Sequence, residues 1–183
     1  DLDRPSKFSF DETKDSLLGG EDKANQNNVV SLNELTGVGA FILPRNVRID
    51  NKTTENFLTD FVKENDSINI SHFAQNLENA FTMIIEAYAE GDLDTLEMLL
   101  APQVFDAFKG AIEERQKRGE SVETQVKAVE KIDIIGAEQN DDDFNMTVRF
   151  TAREICIIRD KDGEIISGAE DKVTEMIDVW VFG

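Results

Sequence analysis

The chain has 183 residues, 38 of them acidic and 19 basic, for a formal net charge of −19. Such a field repels phosphate backbones and argues against a nucleic-acid partner. It also disfavours anionic lipid surfaces, while it suits solubility and basic partners. The lone cysteine, Cys156, excludes an intramolecular disulfide and a cysteine-based zinc cluster. Flanked by Ile155, Ile157 and Ile158, it reads as a packed thiol. No apolar run approaches the ~20 residues of a membrane helix. The chain opens at Asp1 without an initiator methionine, so it reads as a fragment whose membrane tether lies outside it.

Residues 1–52 read as a polar, partly disordered linker. The stretch FSFDETKDSLLGGEDKANQNN has too little apolar surface to offset its ordering entropy. Two apolar clusters interrupt the linker, Phe8 with Phe10 and the run Gly37 to Pro44. The second reads as a short strand, or as a segment docked on a partner or on its own domain. The domain proper occupies 53–183. It opens with a short amphipathic helix at Thr53–Asn65, capped by Thr53 or Thr54. Phe57, Leu58, Phe61 and Val62 share one face of that helix. The face either packs on the main domain or meets a membrane or partner. Its polar side, with Glu55, Asp60 and Glu64, has the wrong sign for anionic lipid.

The core domain begins near Ser71, a candidate N-cap. Phe73, Leu77, Phe81, Ile84, Ile85 and Tyr88 then recur at helical spacing until Gly91. Asp92 caps a short helix bearing Leu93, Leu96, Leu99 and Leu100. Pro102 opens a third helix with an apolar stripe of Val104, Phe105, Phe108, Ala111 and Ile112. Glu113, Glu114, Arg115, Lys117 and Arg118 read as its solvated end, closed by Gly119.

From Ser121 the period changes to two. Val122, Thr124, Val126 and Ala128 alternate, and Ile132, Ile134 and Ile135 follow. After a turn at Asn140–Asp143, Phe144, Met146, Val148, Phe150 and Ala152 alternate with polar residues. The phase slips near Arg153–Glu154, as a bulge would cause. Asp160 to Gly163 is a hairpin turn, and Ile165–Ile166 follow. The final strand sets Val173, Glu175, Ile177, Val179 and Val181 against Met176, Trp180 and Phe182. Three helices followed by four strands predict an α+β layer, with the helices on a curved four-stranded antiparallel sheet. A long bent sheet wrapped on a helix makes a cone with a wide mouth.

Several strings resemble the C-terminal domain of subunit 44 of the mitochondrial inner-membrane translocase, and its bacterial homologues. They run from Phe81 to Ala87, Glu90 to Leu96, Leu99 to Val104 and Arg115 to Gly119. Phe108, Ile112, Val148-Arg149-Phe150 and the terminal Thr174 to Phe182 complete the set. Together they cover about residues 73–182. The resemblance implies a nuclear transport factor two-like cone. It implies a non-enzymatic, membrane-associated adaptor for protein translocation or membrane-protein assembly, with no cofactor. Its partner would be a translocase subunit, a chaperone or an envelope protein. The place implied is the bacterial inner membrane or, alternatively, the matrix side of the mitochondrial inner membrane.

The excess of large apolar residues over what one helix face needs points to an apolar pocket in the cone mouth. Phe73, Leu77, Phe81, Tyr88, Phe105, Phe150 and Trp180 are the candidates that line or support it. The alternative is a small-molecule-binding or isomerase-type cone domain, which needs an acid or base facing an apolar pocket. The sequence offers no catalytic set for it. His72 sits at a helix start, and Asp178 is expected to pair with Arg149 or Arg153. The acidic turns at Asp141–Asp143 and Asp160–Asp162 lack the ligand spacing of a calcium loop, so no metal site is expected.

Overall fold

The computed structural model describes residues 41–183 in full, together with the backbone of β1 (Ser9–Phe10) and β2 (Leu35–Val38). The rest of the expected linker, including Phe8 and the run from Asp11 to Glu34, lies outside the described residues. From Phe41 the elements are β3 (Phe41–Pro44), β4 (Val47–Ile49), α1 (Lys52–Glu64) and α2 (Ile70–Glu90). There follow α3 (Leu93–Leu99), α4 (Pro102–Lys117), β5 (Ser121–Asn140), β6 (Asp143–Arg159), β7 (Ile165–Ser167) and β8 (Thr174–Phe182).

Helix boundaries follow local chemistry, with two corrections to the expected caps. Asn51 caps α1, where Thr53 or Thr54 was expected; its Oδ1 accepts the Thr54 backbone N–H at 2.9 Å. Its Nδ2 also donates to the Ile135 carbonyl at 3.1 Å, so one side chain starts the helix and ties it to the sheet. Asn69 caps α2, accepting the His72 backbone N–H at 2.9 Å. Ser71, the expected cap, lies inside the helix and its hydroxyl accepts the Ile42 backbone N–H at 3.2 Å. Gly91 ends α2 in the left-handed region at φ 73°, as expected. Asp92 caps α3, accepting the Thr95 hydroxyl at 2.6 Å and its backbone N–H at 3.1 Å. Those bonds, the hydroxyl's first, hold the Asp92 carboxyl below the usual carboxylate range. Pro102 opens α4.

The molecule is mixed α+β, and its main sheet differs from a plain four-stranded meander. The strand order is β1-β8-β6-β5-β4, with β7 also paired to β6. β5, β6 and β8 are antiparallel, whereas β4 joins β5 and β1 joins β8 in parallel. The described helices number four, counting α1 with the three of the core domain. β7 and β8 succeed one another along the same edge of β6. The expected phase slip falls at the expected level but on the facing strand. Its register shift lies between Val126 and Ala128, opposite Glu154 and Arg153. Further shifts between Val129 and Lys131 and between Ile134 and Gly136 add to the bend of β5.

Residues 41–49 pack with the helices and sheet. Phe41, Leu43 and Val47 are buried in the same cluster as residues of α2, β5, β6 and β8. The run ending at Pro44 therefore packs as strand against its own domain. β2 and β3 form a separate antiparallel pair, Val38 opposite Phe41.

Candidate interaction surface

Of the seven residues expected at the cone mouth, Phe81, Phe150 and Trp180 pack on one another between α2 and the sheet. Phe81 and Trp180 sit with centroids 4.8 Å apart, Phe81 and Phe150 4.6 Å, and Phe150 and Trp180 5.0 Å. Phe73 meets Phe182 edge-on at 5.6 Å, and Tyr88 meets Phe108 edge-on at 5.1 Å. Phe73, Leu77, Phe81, Tyr88, Phe150 and Trp180 are buried, and Phe105 on α4 is half-buried against them. Rings at these separations act as packed core, contributing both area burial and ring-pair geometry.

The apolar face of α1 is likewise turned inward. Leu58 and Phe61 are buried, with Phe57 and Val62 half-buried on the same core. Phe61 stacks on Phe144 at 4.2 Å, and Phe57 on Phe61 at 5.9 Å. A three-ring stack thus fastens α1 over the β5–β6 turn.

Two buried polar anchors tie the helices and strands together. Arg115, read from sequence as part of a solvated helix end, is only 7% exposed. Its Nη2 donates to the Tyr88 carbonyl at 2.6 Å and the Ala89 carbonyl at 2.7 Å. Its guanidinium also lies 5.1 Å from the Tyr88 ring centroid. A side chain of α4 thereby caps the negative end of α2. Burial presses its pKa below the ordinary arginine value, against the pull of Tyr88 and Cys156. Periodicity could not find it, because Glu113 to Arg118 is polar throughout.

The second anchor is Asp133 on β5, 2% exposed, which Arg48 and Arg149 both grip. Arg149 Nη2 stands 3.0 Å from its carboxylate. Burial pushes the Asp133 carboxyl up, but the two guanidinium groups outweigh it and hold the pKa below the usual range. Arg149 forms ion pairs with Asp133 and Asp50, Arg153 forms one with Glu130, and Asp178 is buried. Asp178 sits opposite Phe150 in the β6–β8 register, whereas Arg149, the partner expected from sequence along with Arg153, sits opposite Val179 and so projects from the other sheet face.

Open space lies at the other end of the β5–β6 ribbon. A cavity of about 260 Å³ is lined by Cys156, Ile158, Ser167, Gly168, Lys172, Thr174 and Met176. A second, of about 240 Å³, is lined by Glu123, Gln125, Ile155, Ile157 and Glu170 among others. The chain from Ile165 to Ile177 that passes these cavities exposes Ile165, Ile166, Val173 and Ile177. Gly168 makes the crossing possible, with φ +80° and a Cβ position that would fall 1.9 Å from the Cys156 carbonyl oxygen. The Thr124 hydroxyl lies 3.5 Å from the Cys156 sulfur, so the thiol is half-buried in this lining.

His72 is exposed at the start of α2. Among the described residues no group of three or more His, Cys, Asp or Glu side chains is placed to hold a metal. Among them also, no helix is long and apolar enough to cross a membrane.

The geometry defines a mixed α+β domain with a self-filled interior and an apolar surface displaced to one end of its sheet. The chain belongs to the Tim44-like domain family, whose model matches residues 54–183. It is 23% identical over 114 residues to the mitochondrial import inner membrane translocase subunit TIM44-1 of Arabidopsis thaliana. It is 21% identical over 124 residues to the human subunit TIM44, covering 67% of this chain and 27% of that protein. The mouse subunit is 23% identical over 124 residues. The chain spans about a quarter of the length of these relatives.

Proposed function

We propose that this domain is a non-enzymatic, membrane-associated interaction module in protein translocation or membrane-protein assembly. The family match over residues 54–183 carries the reading, since the similar curated proteins are named as translocase subunits. Its partner is a protein: a translocase subunit, a chaperone or an envelope protein. The place is an inner membrane, bacterial or on the matrix side of the mitochondrion. The bent β5–β6 ribbon around α2 is of the nuclear transport factor two-like cone kind. Phe73, Leu77, Phe81, Tyr88, Phe105, Phe150 and Trp180 support the working surface from beneath. Direct binding in that mouth requires α2 to lift from the sheet. In the same way, Phe57, Leu58, Phe61 and Val62 reach a membrane or partner only when α1 swings out.

The contact surface is the Ile165–Ile177 segment. A photo-crosslinking side chain at Ile166 should capture a translocase, chaperone or envelope protein in membrane extract. One at Met83, exposed on the far face of α2, should not. Equal capture at both positions, or none, overturns the reading. A second reading, a small-molecule-binding domain, is favoured by the 260 Å³ cavity beside Lys172 and Cys156. Native mass spectrometry showing a bound small molecule that Thr174→Trp displaces would select it.

A further inference from the structure

The two cavities at the open end of the β5–β6 ribbon are similar in size and opposite in chemistry. Successive residues of a strand point to opposite faces, so Ile155 and Ile157 serve one cavity and Cys156 and Ile158 the other. The first is acidic. Glu123 and Glu170 line it, and Arg159 pairs with both, at 3.6 and 3.8 Å. The second has no carboxylate in its lining, in a chain with 38 acidic against 19 basic residues. Its polar side chains include the ammonium of Lys172 and the hydroxyls of Ser167 and Thr174. None of these three groups forms a hydrogen bond or ion pair among the described residues.

A second cation acts on the inner wall of this cavity. Arg115 is buried, and its Nη2 is spent on two carbonyls of α2. Its Nη1 is buried with no hydrogen-bond partner among the described residues. The guanidinium interacts electrostatically with Cys156, which forms part of the wall. A charge held out of water acts more strongly on its surroundings than one at the surface. Two buried acids lie on the same sheet face, Glu154 at 1% and Asp178 at 6% exposure. Neither takes part in the lining, and both are engaged elsewhere in the fold. Between Lys172 at the rim and the Cys156 wall, Ile158 and Met176 supply an apolar floor.

We propose that this cavity binds a small organic acid, its carboxylate against Lys172 and the Ser167 and Thr174 hydroxyls, its apolar body on Ile158 and Met176. A carboxylate accepts several hydrogen bonds at once, and bonds to an ionised group are the stronger kind. At about 260 Å³ the cavity lies just below the ~300–1,000 Å³ usual for ligand pockets. That size suits a ligand of about ten non-hydrogen atoms and excludes a long acyl chain. The inference rests on the small-molecule reading and narrows it to one ligand class.

An NMR titration of the isotope-labelled 183-residue chain tests it, with phenylacetate, phenylacetamide and phenethylamine as probes. The three share a ring and differ in the charge of the head group. A chain of −19 draws cations to its whole surface, so a preference for the acid cannot come from the general field. Phenylacetate should shift the amides of Cys156, Ile158 and Ser167 to Met176 saturably, and bind at least about ten times more tightly than phenethylamine. Lys172→Glu, at an exposed position, should weaken phenylacetate binding about tenfold or more while the rest of the spectrum is kept. Lys109→Glu, exposed on α4, should leave binding unchanged. Equal or tighter binding of the amine or the amide at these amides overturns the carboxylate assignment and leaves the small-molecule reading standing. Phenylacetate binding that survives Lys172→Glu overturns the assignment as well. No saturable shift from any of the three probes overturns both.

Discussion

The two ends of the β5–β6 ribbon are built from similar residues and behave differently. At one end Met146, Val148, Phe150 and Ala152 lie under α2, with Trp180 and Phe182 of β8 beside them, and all are buried. At the other end β6 carries Ile155, Cys156 and Ile158, which are half-buried, beside the buried Ile157, and the four border two cavities. Aliphatic content does not separate the ends; the helix above them does. Where α2 roofs the ribbon, apolar side chains become core. Where the roof stops, they become surface that a partner can use.

The strongest way to test this contrast is to damage the roofed end. Trp180→Ala should cost ~3–5 kcal/mol, read by urea unfolding, because it empties space shared with Phe81 and Phe150. A cost under about 1 kcal/mol would show that the interior is loosely filled and the contrast false. Arg115→Met should follow at ~2–3 kcal/mol, since two carbonyls at the end of α2 lose their donor. Hydrogen exchange should localise that loss to the last turn of α2.

Gly168→Ala attacks the open end. The new methyl meets the Cys156 carbonyl, and the backbone is held at φ +80°, so a cost of ~1–3 kcal/mol is expected. Exchange should rise around Ser167–Lys172 and stay unchanged in α2. If α2 loosens too, the two ends are one cooperative unit.

Acidification weakens the roofed end through Asp133. Its folded pKa is depressed, so its contribution is complete above the unfolded value of ~3.9 and is lost as pH falls through the folded value. Asp133→Asn should flatten the stability–pH curve below about pH 4, read by urea unfolding across that range. The smallest effect is expected from Ile166→Ser. Half-exposed at the open end, it should shift stability by no more than ~0.5 kcal/mol while reducing partner capture.

Much of the fold is legible in local pattern. The 3.6-residue spacing from Phe73 to Tyr88, the Gly91 stop, the Asp92 cap and the Pro102 start are each set by a few neighbouring residues. The period of two after Ser121 identifies the strands for the same reason. The Asn51 and Asn69 caps were harder to read, because asparagine, serine and threonine compete for such sites and only backbone geometry decides among them. Long-range features were not legible. Nothing near Arg115 signals that its guanidinium turns inward, since its acceptors are carbonyls more than twenty residues earlier.

The sequence by itself determined the acidic charge, the helix-then-strand order, the interior face of each long element and the family resemblance. These rest on periodicity and composition, which need no knowledge of what lies across the fold. Only the tertiary structure decided that Phe81, Phe150 and Trp180 close on one another, that β4 and β1 join in parallel, and that Arg115 and Asp133 are buried. It alone decided that the segment from Ile165 to Ile177 stays open. Burial is a property of what packs above a residue, and for the last third of this chain that neighbour lies far away in sequence.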